Sequence, residues 1–494
     1  MYGDRGKRLK ILFIVIICIG LGSCMRVSDL NENTAFLPPQ EIQPSVDLAL
    51  NQPHFKVGQW PSLNWWETFN SLELNQLVDQ ALKQNPSIQS VEQKVEVVLQ
   101  EAKKEKAPLF PFVFFSATED WGKLSKNGVP FQFNPSLGSI YDLVDLKLSF
   151  SYELDFWGKN RNQLEAALGK LQSQRAESKQ VALMVTTSMA KAYFALKTNL
   201  KRRELYSRLY EIKSDVLSLN DLLYQKALRS KLDPATSVEN LEELEKEILA
   251  LDEEIQSNFY LLNILRGISP DAPLEITSFL QDVPDALELP QNLSSDLLVR
   301  RPDLIASIWY IEALAHEVNV AVADFFPRVN LLGFLGLESF PFKHLFDWKS
   351  REGRLQPSIH IPIFKAGEIR ANFKKNKAEL EGAIFNYNEL LLASLKEAAD
   401  SLLLINRTYQ QKASQKIILA QAELKFNLLE LRYTKGIDGL LTVYEMEAEL
   451  LQKQLDDVMI TYEQYLSVIQ MIKALGGGYS TEELDWFTKG GSSE

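Results

Sequence analysis

The side chains best suited to chemistry are few and widely separated in this sequence. The 494 residues include four histidines and two cysteines, and no pair of them has the spacing of metal ligands. These residues are His54, His316, His344, His360, Cys18 and Cys24. The nucleophile elbow, the Walker loop and the dinucleotide-binding glycine motif do not occur in a usable context. His316 falls in a predicted helix and His360 on the polar side of a predicted strand, which favours structural roles. The pattern predicts no enzyme, no cofactor and no metal site.

One thiol stands in a pattern that is typical of a covalent modification. A basic start and the apolar run Ile11–Gly20 precede Leu21-Gly22-Ser23-Cys24, which resembles a bacterial lipobox. In such a motif the cysteine is diacylglycerated, the chain is cut before it, and the new amine is acylated. Met25 after the cysteine implies release toward the outer membrane. The apolar run is shorter than the roughly 20 residues of a membrane-spanning helix. The alternative is a plain secretory signal with a chance cysteine.

The composition excludes several classes of protein. The chain is 46% hydrophobic and 24% charged, with 53 Lys+Arg against 65 Asp+Glu and a formal charge of −12. These values exclude disorder, collagen and a basic nucleic-acid binder. Removal of residues 1–23 leaves a mature chain near −15, an acidic envelope protein. No linker rich in Pro, Gly and Ser divides residues 70–480, so one large or repeated unit is expected.

Short sequence echoes at two constant separations indicate a duplication. Asn85-Pro86 matches Arg301-Pro302, and Phe110-Pro111 matches Phe326-Pro327, each pair 216 residues apart. The separation is 209 residues for the later matches, which are Gly158 with Gly367, Arg161 with Arg370, and Tyr224 with Tyr433. The first copy is therefore longer than the second in the stretch between the earlier and the later matches.

The longer stretch of the first copy, between Pro111 and Gly158, contains residues with the period of a β-strand. Apolar and polar residues alternate through all eleven positions of 146–156, and Phe110, Phe112 and Phe114 begin a partner strand. The loop between them is rich in Gly, Pro and Asn. The second copy repeats the pattern less cleanly, with alternating residues at Val329, Leu331, Gly333, Leu335, Leu337 and then Ile359, Ile361, Ile363. The sequence predicts two β-hairpins.

Each predicted strand has one apolar and one polar face and fits the length of a transmembrane β-strand. A half-buried sheet in a soluble protein is the alternative. Four strands cannot close a barrel, and an open edge in lipid leaves backbone groups unsatisfied. The chain must therefore oligomerise if the strands span a membrane. Two chains would give eight strands and a filled interior, whereas three would give twelve strands and room for water. A conduit needs a water-filled interior, which favours three chains.

The flanking regions have helical periodicity. A long helix is predicted over 159–228 and a helix of half that length over 233–267, with 370–435 and 440–475 as their counterparts in the second copy. Residues 72–106 form another helical segment with a break near Asn85-Pro86. A helix of the longer kind extends about 100 Å. A soluble coiled-coil protein would share this pattern, so the helices alone do not decide the function.

Several motifs together resemble the TolC-type outer-membrane efflux family, in particular the lipoprotein branch that serves tripartite RND-type pumps. They are Trp65-Trp66, Asp155-Phe156-Trp157-Gly158, the stretch 297–303, Phe325-Phe326-Pro327-Arg328, the stretch 362–367, the stretch 432–436 and the stretch 474–478. The resemblance covers nearly the whole mature chain. It implies a mainly α fold with a β-barrel contribution, in which a homotrimer forms a twelve-stranded outer-membrane barrel and a periplasmic α-helical tunnel. It also implies a periplasmic adaptor (membrane fusion) protein and an inner-membrane pump as partners.

The resemblance places the functional site at the periplasmic tip of the second copy. Matching through Gly436 puts Leu441 at the family's apolar constriction and Glu445 at its acidic ring, where Asp is usual. Asp438 is a secondary candidate, and Thr236 holds the matching position of the first copy. Three Glu445 carboxylates around one axis would attract cations and repel one another. Surface acids without a role are the alternative.

The charged residues Arg300, Arg301 and Asp303 allow two interpretations. They could form a capping and ion-pair cluster, or a solvated charge run. The nearby prolines of both copies, at 86, 111, 302 and 327, are expected to end or kink helices.

The expected organisation follows from these boundaries. Residues 1–23 are a lipoprotein signal peptide and 24–70 a lipid-anchored segment, followed by a first repeat over 71–290 with its β-hairpin at about 109–157. The second repeat covers 291–478 with a hairpin at about 326–366, and 479–494 form a tail. The predicted function is passive conduction of drugs or other toxic solutes across the outer membrane. The alternatives are a duct for type I protein secretion and a lipid-anchored coiled-coil structural protein.

Overall fold

The computed structural model describes residues 35–37, 42–134, 136, 138–277, 283–284, 286–290, 293 and 300–480. The predicted signal peptide, Cys24, the motif residues 297–299 and the tail beyond residue 480 lie outside the described residues. All the helices and strands named below belong to one compact unit, Leu37–Glu494. Its described α-helices of eight or more residues are α1 Gln43–Leu50, α2 Leu72–Gln84, α3 Pro86–Lys106, α4 Lys159–Gln225, α5 Leu232–Leu265, α6 Pro302–Ala323, α7 Glu368–Thr434 and α8 Leu440–Ala474. Its described strands are β1 Phe55–Val57, β2 Phe112–Lys123, β3 Ile140–Leu154, β4 Leu287–Leu289, β5 Arg328–Ser339 and β6 Arg351–His360.

The helix boundaries follow local sequence signals. Asn85 caps α3, because its side-chain oxygen accepts hydrogen bonds from the backbone N–H groups of Ser87 (2.9 Å) and Ile88 (3.4 Å). Pro86 and Pro302 occupy the first positions of α3 and α6, where a proline has no intrahelical hydrogen bond to lose. Among the described helices, none combines the length and the hydropathy that a membrane crossing requires.

The element bounds repeat as the sequence offsets predict. Helices α4 and α7 each contain 67 residues and are separated by 209 positions at both ends. Strands β2 and β5 each contain 12 residues and are separated by 216 positions. The duplication is thus present in the backbone as well as in the sequence.

Strands β2, β3, β5 and β6 form one antiparallel sheet in that order. Phe115 pairs with Leu148, Leu148 with Leu335, and Leu335 with Gly353, so each row crosses the sheet from β2 to β6. Although Phe112 and Phe114 lie on the opposite face, this register gathers most of the apolar residues of the sheet on one face. Most of them are exposed in the single chain, including Val113, Phe115, Leu148, Leu335, Leu355 and Ile359.

Part of the strand prediction for the second hairpin is wrong. Ile359 belongs to β6, but β6 ends at His360, and Ile361 and Ile363 lie beyond it. The reason is that the partner strand β5 begins only at Arg328, which pairs with His360. Pro362 also lacks the N–H group that would continue the ladder.

The core lies where the two repeats pack together, midway along the helices. Phe194 of α4 stacks on Tyr465 of α8, with ring centroids 3.8 Å apart, and Phe69 contacts Phe194 edge-on at 4.9 Å. The predicted Trp65-Trp66 motif is buried in the same core, beside Phe69. Aromatic packing of this kind ties α4 of the first repeat to α8 of the second.

The structure decides between the two interpretations of the charged residues near Pro302. Arg301 is buried, with 5% of its surface exposed. Its guanidinium donates to Asp303 at 2.7 Å and to Glu397 of α7 at 2.9 Å. Burial tends to lower the pKa of Arg301, but these carboxylates outweigh it, and the pKa is raised. Arg301 therefore forms the ion-pair cluster, and the interpretation as a solvated charge run is wrong for this residue.

Candidate functional site

The two helical hairpins end in turns of the same construction. After α4, the N–H of Leu228 donates to the carbonyl of Leu223 at 2.9 Å, and after α7 the N–H of Ile437 donates to the carbonyl of Arg432 at 3.0 Å. This is the hydrogen-bond pattern of a Schellman turn. Its left-handed residue is Gly436 in the second copy.

The candidate aperture residues lie in and after this second turn. Leu441 is half-buried and Glu445 exposed, and because they are four residues apart on α8 they share one side of that helix. Asp438 differs from them. Its carboxylate lies 2.6 Å from Nε of Arg432, which compensates its charge within the turn. Leu441 and Glu445 thus lie together at the tip, whereas Asp438 is already paired.

Sequence reasoning missed the contacts that hold α4 of the first repeat to α8 of the second near these tips. Arg208 of α4 donates to Glu447 of α8 through Nη2 at 2.7 Å and Nε at 3.0 Å. Hydrogen bonding to Glu447 is the main cause that raises the pKa of Arg208. Two turns further along α4, Asp215 lies near Tyr444, whose pKa is raised by partial burial and then by the charge of this carboxylate. We call Arg208, Asp215, Tyr444 and Glu447 the tip latch.

A second polar network lies nearer the middle of the helices. The Tyr193 hydroxyl donates to Glu73 of α2 at 2.8 Å, and the buried Lys197 ammonium lies 3.4 Å from the same carboxylate. Burial raises the pKa of Glu73, but the hydrogen bonds from Tyr193 and Thr277 and the charge of Lys197 lower it by more, so the net shift is downward. This network fixes α2 against α4.

One group of carboxylates in the sheet has the proximity of metal ligands. Oxygens of Asp145, Glu338 and Glu352 lie within 4.8 Å of one another. The ammonium of Lys147 lies among them, in ion pairs with all three, at 2.9 Å from Glu352. Because the Lys147 ammonium already occupies the space between the carboxylates, the group is an ion-pair cluster on the polar face of the sheet.

The comparisons with known proteins identify the architecture. The model of the family described as "Outer membrane efflux protein" matches residues 77–263 and 293–477, most of both repeats. The chain belongs to the outer membrane efflux protein family. Membership excludes the coiled-coil structural alternative, and confirms that this is a non-enzymatic outer-membrane efflux channel protein.

Similar outer membrane efflux proteins cover almost the whole chain. The multidrug resistance outer membrane protein MdtQ of Escherichia coli O6:H1 is 26% identical over 91% of this chain and 95% of its own length. The outer membrane protein VceC of Vibrio cholerae is 28% identical, with a TM-score of 0.74 over 85% of this chain and all of VceC. The outer membrane channel CmeC of Campylobacter jejuni has a TM-score of 0.78 at 22% identity, over 88% of this chain and 93% of CmeC. The predicted mainly α fold with a β-barrel contribution is confirmed.

Proposed function

We propose that three copies of this outer membrane efflux protein form a passive export duct, through which an inner-membrane pump, joined by a periplasmic adaptor, expels drugs or other toxic solutes. The observation that carries the proposal is the four-stranded sheet, which has an exposed apolar face and ends in β2 on one side and β6 on the other. The printed name of MdtQ, a multidrug resistance outer membrane protein, supports small toxic solutes as cargo.

The sheet argues for three chains. Within the described residues, β2 pairs only with β3, and β6 pairs only with β5. Lipid offers no hydrogen bonds to the free edges, and each unsatisfied backbone group costs several kcal/mol there. Pairing β2 of one copy with β6 of the next removes every edge. Three copies then give twelve strands, enough for a water-filled interior, whereas two copies give a barrel filled by side chains.

The helices supply the periplasmic part of the duct. Each of α4 and α7 extends about 100 Å at 1.5 Å per residue. Large apolar side chains remain exposed along α7 in the single chain, among them Leu403, Ile417, Leu424 and Leu428. Burial of such a stripe against a neighbouring copy would stabilise a closed ring of helices.

The tip latch is suited to hold the duct closed. It joins the two hairpins of one chain, so the hairpins can separate only if the Arg208 and Asp215 contacts break. Engagement of the adaptor and pump would supply the energy for that separation. Half-buried Leu441 and exposed Glu445 then form the narrowest part, with three carboxylates around the threefold axis.

Loss of the latch should open the duct. We expect Arg208→Ala to raise the single-channel conductance in planar lipid bilayers about threefold or more. The reason is that loss of the ion pair lowers the free energy needed to open the tip by roughly 1 kcal/mol in each of three chains. Arg203→Ala is the matched control. Arg203 is five residues away on α4 but pairs with Asp252 of α5, within the same hairpin, at 2.7 Å. Equal conductances for the two variants would contradict the latch.

The aperture assignment predicts a change in ion selectivity. We expect Glu445→Gln to weaken the preference of the channel for cations, since it removes three charges from the axis. Asp438→Asn should change the preference less, because Arg432 already compensates Asp438. Reversal potentials in a KCl gradient measure both. An unchanged cation preference in Glu445→Gln would remove Glu445 from the aperture.

The lipid anchor at Cys24 is a separate part of the proposal. The acyl chains would hold the amino terminus at the outer membrane, and the small residues Gly22 and Ser23 before the cysteine support it. We expect Cys24→Ala to lose the acyl mass of the mature chain, which mass spectrometry of the intact protein measures. A wild-type mature chain without acyl mass would contradict the anchor.

A further inference from the structure

An unusual concentration of exposed aromatic side chains lies between β5 and β6. Residues 340–350 join these strands at the end of the sheet farthest from the helices that follow β6, and Arg351 begins β6. Four rings of this stretch are between 57% and 76% exposed: Phe340, Phe342, Phe346 and Trp348. We call residues 340–351 the β5–β6 segment. Exposed aromatic residues in such density mark an interaction surface.

Internal hydrogen bonds hold this segment in a fixed shape. The Ser350 hydroxyl donates to the carbonyl of His344 at 2.7 Å, and His344 Nδ1 lies 2.9 Å from the Asp347 carboxylate. Leu345, near the centre of the segment, is only 1% exposed, so its side chain is buried while the rings around it are not. The aromatic rings are therefore presented outward by a folded turn.

The segment continues the apolar face of the sheet. Leu337, near the end of β5, pairs with Arg351, the first residue of β6, and both belong to the face that carries Phe115, Leu148 and Leu335. Under the proposed function, on which this inference rests, that face contacts lipid and the helices occupy the periplasm. The β5–β6 segment then lies at the outer leaflet of the outer membrane, where aromatic rings prefer the boundary between acyl chains and headgroups.

The charges of the segment specify the kind of lipid. Lys343 and Lys349 are exposed between the rings, and the Arg351 guanidinium stacks on the Trp348 ring at 3.0 Å. Asp347, the one acidic residue of the segment, is hydrogen-bonded to His344. Aromatic rings alone would suit any lipid, but three cations beside them complement a headgroup with several phosphates.

We propose that the β5–β6 segment is a binding site for the phosphorylated glycolipid of the outer leaflet. The rings of Phe342, Phe346 and Trp348 contact its acyl chains. Lys343, Lys349 and Arg351 bind its phosphates, which are more densely charged than the single phosphate of a phospholipid.

Native mass spectrometry of detergent-purified trimers, incubated with defined lipids, tests this site. The probes are bisphosphorylated lipid A, its monophosphoryl form and phosphatidylglycerol. We expect the wild type to retain bisphosphorylated lipid A in clear preference to the other two. The double variant Lys343→Gln with Lys349→Gln should retain about tenfold less of it. The reason is that each basic residue near an anionic lipid surface raises the binding affinity severalfold.

A matched control makes the same change of charge elsewhere. Lys246 of α5 and Lys416 of α7 are exposed lysines on the helical part, and their double Gln variant should bind lipid A as the wild type does. Equal retention by the two double variants, or equal binding of phosphatidylglycerol and lipid A, would overturn the site. A wild-type trimer without lipid preference overturns this inference alone. A chain that isolates only as a monomer would overturn the proposed function with it.

Discussion

Gly476→Ala is expected to prevent most of the protein from folding. Gly476 ends α8 with φ +85°, and a Cβ at this position would lie 2.0 Å from the carbonyl oxygen of Arg300. The left-handed backbone alone disfavours an alanine by about 1 kcal/mol. The overlap is with main chain, which cannot move aside by a change of rotamer. We expect a total loss of about 4 kcal/mol or more, in the range of the most damaging substitutions.

The repeated architecture supplies two comparisons for this variant. Gly267 is the equivalent residue 209 positions earlier, where a Cβ would lie 2.3 Å from the carbonyl oxygen of Gln84, so Gly267→Ala should also be severe. Gly436, at the tip, has φ +73°, but a Cβ added there would meet no atom within 4 Å. Its first-repeat counterpart is already an alanine, Ala227 with φ +60°. Gly436→Ala should therefore lose only about 1 kcal/mol.

The yield of folded protein in outer-membrane fractions, followed by heat dissociation of the purified oligomer, measures these effects. Gly476→Ala and Gly267→Ala should give little or no folded protein, and Gly436→Ala a near-normal yield. If Gly476→Ala were as stable as Gly436→Ala, the close approach of residue 300 to the end of α8 would be incorrect.

Arg301→Leu is the second substitution with a large expected effect. Arg301 makes hydrogen bonds to Asp303 and Glu397, and its Nη1 also donates to the carbonyl of Ala474 at 3.3 Å. The leucine would leave the largely buried Asp303 carboxylate without its charged donor, with only the backbone N–H of Leu304 remaining, and would remove the donor to the end of α8. Breaking a buried ion pair on one side costs about 3 kcal/mol, and partial exposure of Glu397 keeps the loss near that value.

The neighbouring arginine is a natural control for this variant. Arg300 is half-buried and lies with its guanidinium 5.8 Å from the centre of the Trp60 ring, a contact worth about 1 kcal/mol or less. Thermal dissociation of the oligomer should therefore move to markedly lower temperature for Arg301→Leu than for Arg300→Leu. Similar midpoints for both would show that the Arg301 cluster does not support the junction of α6, α7 and α8.

Much of the fold was accessible from the sequence, because its signals are local. The break near Asn85-Pro86 and the absence of proline over 159–225 predicted a helix boundary and one unbroken helix. Pro302 was expected to end or kink a helix, but it begins α6 instead. Strand β3 was predicted from strict alternation, but it ends at Leu154, before the alternation does, and its partner β2 begins at Phe112 rather than at Phe110. The extension of β6 to Ile363 was wrong because the length of a strand depends on its partner, and β5 begins at Arg328.

The candidate site was accessible only in part. Leu441 and Glu445 were assigned only through the family resemblance, by matching at Gly436, and their role at the aperture stays a prediction. The pairing of Asp438 with Arg432 is a local contact within the turn. The tip latch joins Arg208 to a residue 239 positions away, through the packing of α4 against α8. Likewise, the sequence left the state of Arg301 open, because its burial depends on Glu397 and Ala474 of distant helices.

Native mass spectrometry of the detergent-extracted protein tests the central claim most directly, because one spectrum reports the number of chains in the assembly and the mass of each. The account predicts a trimer, the number of chains that closes a twelve-stranded barrel from four strands apiece, with each chain starting at an acylated Cys24. A stable unlipidated monomer would contradict it, since four strands with two free edges cannot span a membrane.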